Sequence, residues 1–263
     1  MKIRTKILAG TLAVLVGLIV LIGLLINVFG DRAVKIGVEQ GARRALQVGV
    51  RLDSASLSLL GGTMQMHNLV VDNPEGYQHP TLLTLSDADI AVRIGSLLGD
   101  TVEIKKLHLD NVNLTLEQKG LTSNLQDVLD NLRKAEEPTD EPSRNVHVKE
   151  LQIKGITVNA KLLPIAGQAD TVTFRLSPIT LKDIGTDEDV DVAQLTGVIL
   201  VAIAGGVIEQ GRDVLPTDML NKLSQDLLEA GQTILEGTLD IGTDVLDDVG
   251  DTIRGIFQRN NNN

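Results

Sequence analysis

The sequence has no cysteine and no tryptophan, and aromatic residues make up only 2% of its 263 residues. Without cysteine the chain can form no disulfide, no thiol nucleophile and no cysteine-ligated metal site. The scarcity of aromatic rings argues against a stacking surface for bases or sugars, and the net charge of -11 argues against nucleic acid as a partner. The apolar content of 43% predicts instead a globular core of Leu, Ile, Val and Ala.

An internal repeat occupies the middle of the chain. Residues 102–116, VEIKKLHLDNVNLTL, return 44 positions later as residues 146–160, VHVKELQIKGITVNA, with apolar residues at the same seven offsets. A fainter third copy, MQMHNLVVDN at residues 64–73, aligns with residues 102–111 and places Asn73 at the position of Asn111. Such self-similarity predicts one β unit that is used three times.

Apolar residues alternate within this unit, as in a strand with one buried face, but the alternation shifts at Lys105-Lys106 and again at Asp110-Asn111. A shift of one residue exchanges the two faces of a strand, so we expect a bulge, bend or turn at both points in both copies. The apolar face is then either an ordinary sheet core or a curved groove that holds acyl chains. In the second case the lipid-facing residues are Val102, Ile104, Leu107, Leu109, Val146, Val148, Leu151 and Ile153.

Charge and hydrophobicity divide the chain into six parts. Residues 7–29 carry no charge and follow a basic start, and 23 residues of helix extend roughly 35 Å, enough to cross a bilayer. Because no A-x-A site follows, we favour an uncleaved anchor over a cleaved signal peptide. The predicted parts are a cytoplasmic N-terminus at 1–6, a transmembrane helix at 7–29, a linking helix at 30–50, a β domain at 51–190 with an acidic linker at 136–145, a helical region at 191–258 and a disordered tail at 259–263.

The basic N-terminus predicts a single-pass inner-membrane protein with its N-terminus in the cytoplasm and the bulk of the chain in the periplasm. In the helical region, residues 198–208 are uncharged. Eleven residues reach only about 16 Å, too little to span a bilayer. This stretch is expected either to pack against the sheet or to dip into a membrane surface.

The sequence contains no recognisable catalytic constellation. There is no GxSxG, no HExxH, no phosphate-binding GxxxxGK[ST] and no dinucleotide-binding GxGxxG. Of the four histidines, His67, His108 and His147 fall inside the strand repeats, and His79 has no second histidine or carboxylate at metal-ligand spacing. We therefore expect a non-enzyme with no cofactor, no metal and no catalytic residue.

Three segments carry a resemblance to a known family. They are residues 52–77, LDSASLSLLGGTMQMHNLVVDNPEGY, the turn IGSLL at 94–98, and the strand unit from 102 with the SNLQDVL segment at 123–129. Together with the N-terminal anchor they resemble the N-terminal region of the AsmA-like family of envelope proteins, over roughly residues 1–160. The larger members look like long, apolar-lined β grooves anchored in the inner membrane and implicated in phospholipid movement and envelope integrity. This chain is much shorter and has a helical C-terminus where those members continue with strands.

These observations predict an α+β protein with one N-terminal transmembrane helix, a curved antiparallel β-sheet or groove built from repeated strand units, and a helical C-terminal region. The leading functional hypothesis is an AsmA-like periplasmic protein that binds membrane phospholipid in its groove. The alternative is a non-enzymatic scaffold or assembly protein, whose groove is closed by its own helices and whose C-terminal helices bind a protein partner.

Overall fold

The computed structural model describes residues 30–58, 61–120, 122–134, 144–162, 171–185 and 190–236. Four predicted features lie outside these residues in whole or in part. They are the cytoplasmic N-terminus and transmembrane helix at 1–29, positions 136–143 of the acidic linker, the end of the helical region from 237, and the tail at 259–263.

One mixed sheet contains all nine strands of the described residues. The order along the sheet is β1-β2-β3-β4-β6-β9. Strand β7 follows β6 along the same side of β4 and also pairs with β8. The short strand β5 pairs with the end of β4. The strands are β1 (Val50–Ser58), β2 (Thr63–Asp72), β3 (Thr81–Val92), β4 (Thr101–Lys119), β5 (Thr122–Ser123), β6 (Asn145–Lys154), β7 (Thr157–Lys161), β8 (Thr171–Arg175) and β9 (Ile179–Ile184).

The α+β class is confirmed, but the prediction of an antiparallel sheet is wrong at its centre. Strand β4 pairs in parallel with both β6 and β7. The connection between β4 and β6 includes the helix α2 (Asn124–Lys134), which returns the chain to the start of the sheet before β6 begins. A crossover of this kind makes consecutive long strands parallel, whereas a short hairpin would have made them antiparallel.

The two strong copies of the repeat lie side by side. Val102 faces Val146 and Leu109 faces Ile153, so the 44-residue offset of the sequence is also the register of the parallel pair. The expected shift at Lys105-Lys106 is a bulge, where the register of β3 against β4 changes between Ala91 and Val92. Both copies therefore keep their apolar residues on one face.

A second irregularity crosses the whole sheet at one level, and we call it the crease. The buried or half-buried residues change parity there in four successive strands. Leu52 pairs with Leu69 on one side of it, and Ala55 pairs with Met66 on the other. Three residues at this level have left-handed backbone conformations: Asn68 (φ 54°), Asn111 (φ 60°) and Gly155 (φ 62°). Asparagine and glycine tolerate this region best, so the predicted bend at Asp110-Asn111 is confirmed and has a local cause.

The alignment of the faint third copy with residues 102–111 does not match the pairing of the strands. Residues His67 and Leu69 pair with Asp87 and Leu85, and these pair with Asp110 and Val112. Asn68 therefore occupies the level of Asn111, whereas Asn73 lies in the loop after β2. The alignment relied on the identical Asp and Asn residues of the two segments. Equivalent positions in a sheet are defined by hydrogen-bonded pairing instead, and the pairing gives a different offset.

The first helix, α1, covers residues 30–46 and lies along the exposed edge of β1. Asp31 Oδ1 accepts a hydrogen bond from Leu57 N at 2.7 Å and Glu39 Oε1 accepts one from Leu52 N at 2.8 Å. The Arg43 guanidinium donates to Val50 O at 2.9 and 2.7 Å. These side chains bind the backbone groups that an edge strand would otherwise offer to another chain.

The other long helices are α3 (Val192–Gln210) and α4 (Thr217–Glu236). Helix α3 packs against β6, β9, α2 and α4, and α4 packs against α2. Asp191 begins α3 with a reciprocal cap: its side chain accepts from Gln194 N, and the Gln194 side chain accepts from Asp191 N. The result is a helical layer against the sheet.

Candidate lipid-binding face

The eight residues predicted to face lipid meet in four facing pairs. Strands β4 and β6 bring them together because the parallel register equals the repeat offset. The pairs are Val102 with Val146, Ile104 with Val148, Leu107 with Leu151, and Leu109 with Ile153. We call these eight residues the paired face. Lipid contact at this face remains a prediction.

Protein atoms shield most of the paired face. On β6, Val148, Leu151 and Ile153 have no exposed surface. On β4, Ile104, Leu107 and Leu109 are buried, and the largest exposed fraction among them is the 8% of Ile104. Val102, at the beginning of β4, is half-buried. In the described conformation the face is therefore part of the core, and its beginning at Val102 is the portion nearest to solvent.

Helix α3 is the element that lies over β6 and β9, and its composition is unusual for a surface helix. It carries no charge before Glu209, and the residues from Leu200 to Ile208 are all buried. At its far end, a Cβ on Gly206 would lie 3.1 Å from Leu176 Cδ1, so the helix backbone approaches the sheet closely. The predicted packing of 198–208 against the sheet is thus observed.

By length and composition alone, α3 is also the one helix of the described segments that could cross a membrane, and 67% of its apolar window is buried in the protein. A helix that is apolar on all sides needs an apolar environment on all sides. Here the sheet and the neighbouring helices provide it.

A buried polar network, which sequence reasoning missed, fixes the loop after β2 to the end of β4. Glu117 is only 7% exposed, and its two oxygens accept from Gln78 N at 2.7 Å and His79 N at 2.9 Å. Asn124, with no exposed surface, accepts from Glu117 N and donates to Asn73 Oδ1. The available signal was the pair of motifs DNPEGY and SNLQDV, whose polar residues meet in this network.

Tyr77 closes the network on its outer side. Its hydroxyl donates to Asp127 Oδ2 at 2.7 Å, and the ammonium of Lys119 lies 5.2 Å from its ring centre. Burial, followed by the hydrogen bond to Asp127, raises the pKa of Tyr77 well above its usual value. A phenol held protonated in this way is a structural donor and a poor general base.

Two of the histidines each lie beside one carboxylate on the sheet. His67 Nδ1 lies 2.8 Å from Asp87 Oδ1 on the exposed side of the sheet, and His108 lies 3.8 Å from Glu150. Over the ranges that the structure describes, no group of three His, Asp or Glu side chains could hold a metal ion. His79 contributes its backbone to the Glu117 network.

A second polar cluster joins α2 to α4. Gln126 Nε2 donates to Asp226 Oδ2 at 2.9 Å, and Arg133 binds both Asp130 and Glu229. Asp226 is 7% exposed, and burial raises its pKa above the ordinary value of 3.8. These contacts fasten the helical layer that covers the sheet.

Comparison with known proteins gives one match. The sequence model of the AsmA family matches residues 1–198, which is three quarters of the chain and includes the uncharged run at 7–29, the whole sheet and the beginning of α3. No curated protein and no solved structure matches. The resemblance noted from the strand repeat and its turns is confirmed, and the chain belongs to the AsmA family.

Proposed function

We propose that this protein is anchored in the inner membrane by residues 7–29 and that its paired face binds phospholipid acyl chains, contributing to envelope lipid transport or integrity. Membership of the AsmA family is consistent with a function in the cell envelope. The family is not known for enzymatic activity, and the proposal is correspondingly non-catalytic. The chain is expected to cross the membrane once, with its N-terminus in the cytoplasm and the sheet in the periplasm.

The observation that carries the proposal is the chemical match between the paired face and its cover. The β6 side of this aliphatic face is covered by a helix that is itself uncharged over 17 residues, from Val192 to Ile208, whereas α2 packs on β4. An acyl chain presents the same aliphatic surface to the sheet as α3 does. Exchange of one for the other would therefore leave no charged group buried without a partner.

The dimensions fit one acyl chain. Eight strand residues from Val102 to Leu109 extend about 26 Å at roughly 3.3 Å each. One leaflet of the hydrocarbon core is only about 15 Å thick, so an extended acyl chain can lie along the paired face. Because the face is covered in the described conformation, lipid entry requires α3 to move away from β6.

The second candidate is a non-enzymatic scaffold, and the burial of the paired face favours it. If α3 never leaves the sheet, the aliphatic face is an ordinary core and the helical layer presents the surface for a protein partner. The two candidates differ in whether lipid reaches β6.

Photolabelling with a phospholipid that carries a diazirine at the end of its acyl chain separates them. The full chain is reconstituted in vesicles containing this lipid, irradiated, and its labelled peptides are identified by mass spectrometry. The lipid-binding proposal expects adducts on β4 and β6 as well as on residues 1–29. Adducts confined to residues 1–29 would contradict lipid binding at the paired face and would support the scaffold candidate.

A further inference from the structure

The tetrapeptide SLLG occurs twice in the sequence, at residues 58–61 and 96–99. At one end of the sheet, Gly61 and Gly62 precede β2, and a short 3-10 helix at Ile94–Leu98 joins β3 to β4. These two described segments are in contact: Val92 N donates to Gly62 O at 2.7 Å, and a Cβ on Gly62 would lie 3.3 Å from Ile94 Cγ1. They form a single surface, which we call the turn end.

The turn end exposes aliphatic side chains. Ile94 is 47% exposed, the largest value for a large hydrophobic residue in the described part of the chain, and Leu97 is half-buried. One exposed isoleucine is ordinary for a soluble surface. Its position relative to the anchor is what gives it meaning.

The chain enters the fold at this same end. Asp31, in the first turn of α1, accepts from the backbone N of Leu57, which precedes the last residue of β1. The uncharged run at 7–29 ends two positions before Asp31. A transmembrane helix there would deliver the chain to the turn end, and the loop at 73–80, at the other end of β2 and β3, would point away from the membrane.

The charge of the turn end also suits a membrane surface. Although the whole chain carries -11, exposed arginines lie here: Arg32 in α1, Arg93 beside Ile94, and Arg144, which donates to Leu97 O and Gly99 O. Arg93 pairs with Glu103 at 2.8 Å, and Asp100 is exposed nearby in the sequence. Arg32, Arg93 and Arg144 balance Asp31, Asp100 and Glu103, so this end carries no net negative charge that would repel anionic headgroups.

We propose that the turn end rests on the membrane, with Ile94 inserted at the boundary between headgroups and acyl chains. The proposal rests on the membrane anchoring given under the proposed function. It fixes the orientation of the sheet, with β4 and β6 beginning at the membrane and Val102, the least covered member of the paired face, at the beginning of β4. A lipid could then pass from the bilayer to the paired face without crossing water.

The absence of tryptophan makes a direct test possible. Ile94→Trp places a single indole at the turn end, and Glu75→Trp places one in the exposed loop at the opposite end as a matched control. Both full-length variants are reconstituted in vesicles of phosphatidylethanolamine and phosphatidylglycerol, with and without brominated acyl chains. Flotation of the vesicles measures anchoring independently.

We expect about a twofold loss of emission at position 94, because a side chain inserted roughly 5–10 Å into the interface contacts the bromines. Position 75 should lose none. If the chain floats with the vesicles but position 94 is not quenched, the turn end does not touch the bilayer and the inference is wrong while anchoring stands. If the chain does not float, the anchoring itself fails.

Discussion

Gly155 shows how single residues determine the curvature of the sheet. Its φ of 62° lies in the left-handed region, and a Cβ there would lie 3.0 Å from Asn111 Oδ1 and 3.3 Å from Asn111 N. Asn68 on β2 and Asn111 on β4 take the same conformation at the same level of the sheet. The crease therefore depends on residues that accept positive φ.

Gly155→Ala should lower the free energy of unfolding by about 1–2 kcal/mol or more, because the left-handed conformation disfavours a Cβ and Asn111 must shift. Gly37→Ala is the matched control, since Gly37 lies in α1 with no heavy atom within 4 Å of the added Cβ. It should raise stability by up to about 1 kcal/mol through helix propensity. Urea unfolding measures the free energy of unfolding of both variants. If alanine at position 155 lowered it no more than alanine at position 37, the crease would tolerate alanine.

Glu117 is the single residue that fixes the loop at 73–80, as Gly155 is for the crease. Glu117→Gln replaces one acceptor oxygen with an NH2 group, which cannot accept from Gln78 N or His79 N, so we expect a loss of about 1–3 kcal/mol. Glu75→Gln, in the exposed part of the same loop, should change stability by less than about 0.5 kcal/mol. Thermal unfolding compares them, and an unaffected Glu117→Gln variant would show that the network adds no stability.

At this scale the sequence predicted the bend at Asn111, because the alternation of apolar residues shifts wherever the buried face must be kept. It could not predict the hydrogen bonds that Glu117 itself accepts within the polar network. The partners of Glu117 are backbone groups 38 and 39 positions away, and backbone donors leave no signature in residue type.

The contact between α2 and α4 includes a carboxyl group, Asp226, whose titration affects the stability of the protein. Asp226 has a raised pKa in the folded protein, so it binds its proton more tightly there than in the unfolded chain. Its contribution is fully present below the ordinary pKa of 3.8 and is lost as the pH rises through the folded value. The neighbouring charges on the two helices are Lys222, Asp130, Arg133 and Glu229.

Asp226→Asn should therefore stabilise the protein relative to wild type at pH 7, and the difference should shrink as the pH approaches 4. Asparagine keeps an oxygen that can accept from Gln126 and carries no charge. Urea unfolding of both proteins between pH 4 and pH 7 measures the difference. A difference that does not vary with pH would mean that Asp226 titrates alike in the folded and unfolded chains.

Elements were predicted unevenly. The alternation located β4, β6 and β7. The direction of β6 was missed, since strand direction depends on where the crossover returns and periodicity carries no such information. The position of α3 was left open between sheet and membrane because an aliphatic helix suits both environments.

For the whole molecule, a single aliphatic face connects the repeat, the crease and the helical layer. The bulges keep that face on one side of the sheet, α3 covers its β6 side and α2 packs on β4, and the contacts of α2 with α4 support this cover. The family and the α+β class could be recognised from the repeat and its turns. The closure of the face could not be recognised from the sequence, because it depends on tertiary packing between residues about 50 positions apart.

The central claim is that lipid reaches the paired face when α3 moves, and a disulfide tests it directly. A Cβ on Gly41 would lie 2.9 Å from Val192 Cβ, so Gly41→Cys with Val192→Cys should join α1 to the first turn of α3 after a small shift. The natural chain has no other cysteine to interfere.

The measurement is acyl-diazirine photolabelling of this double variant in vesicles, oxidised and reduced. We predict that the reduced protein acquires adducts on β6 and that oxidation abolishes them, while labelling of residues 1–29 stays constant as the internal control. Equal labelling of β6 in the two states would contradict the requirement for α3 to move, and no labelling of β6 in either state would contradict lipid binding at the paired face.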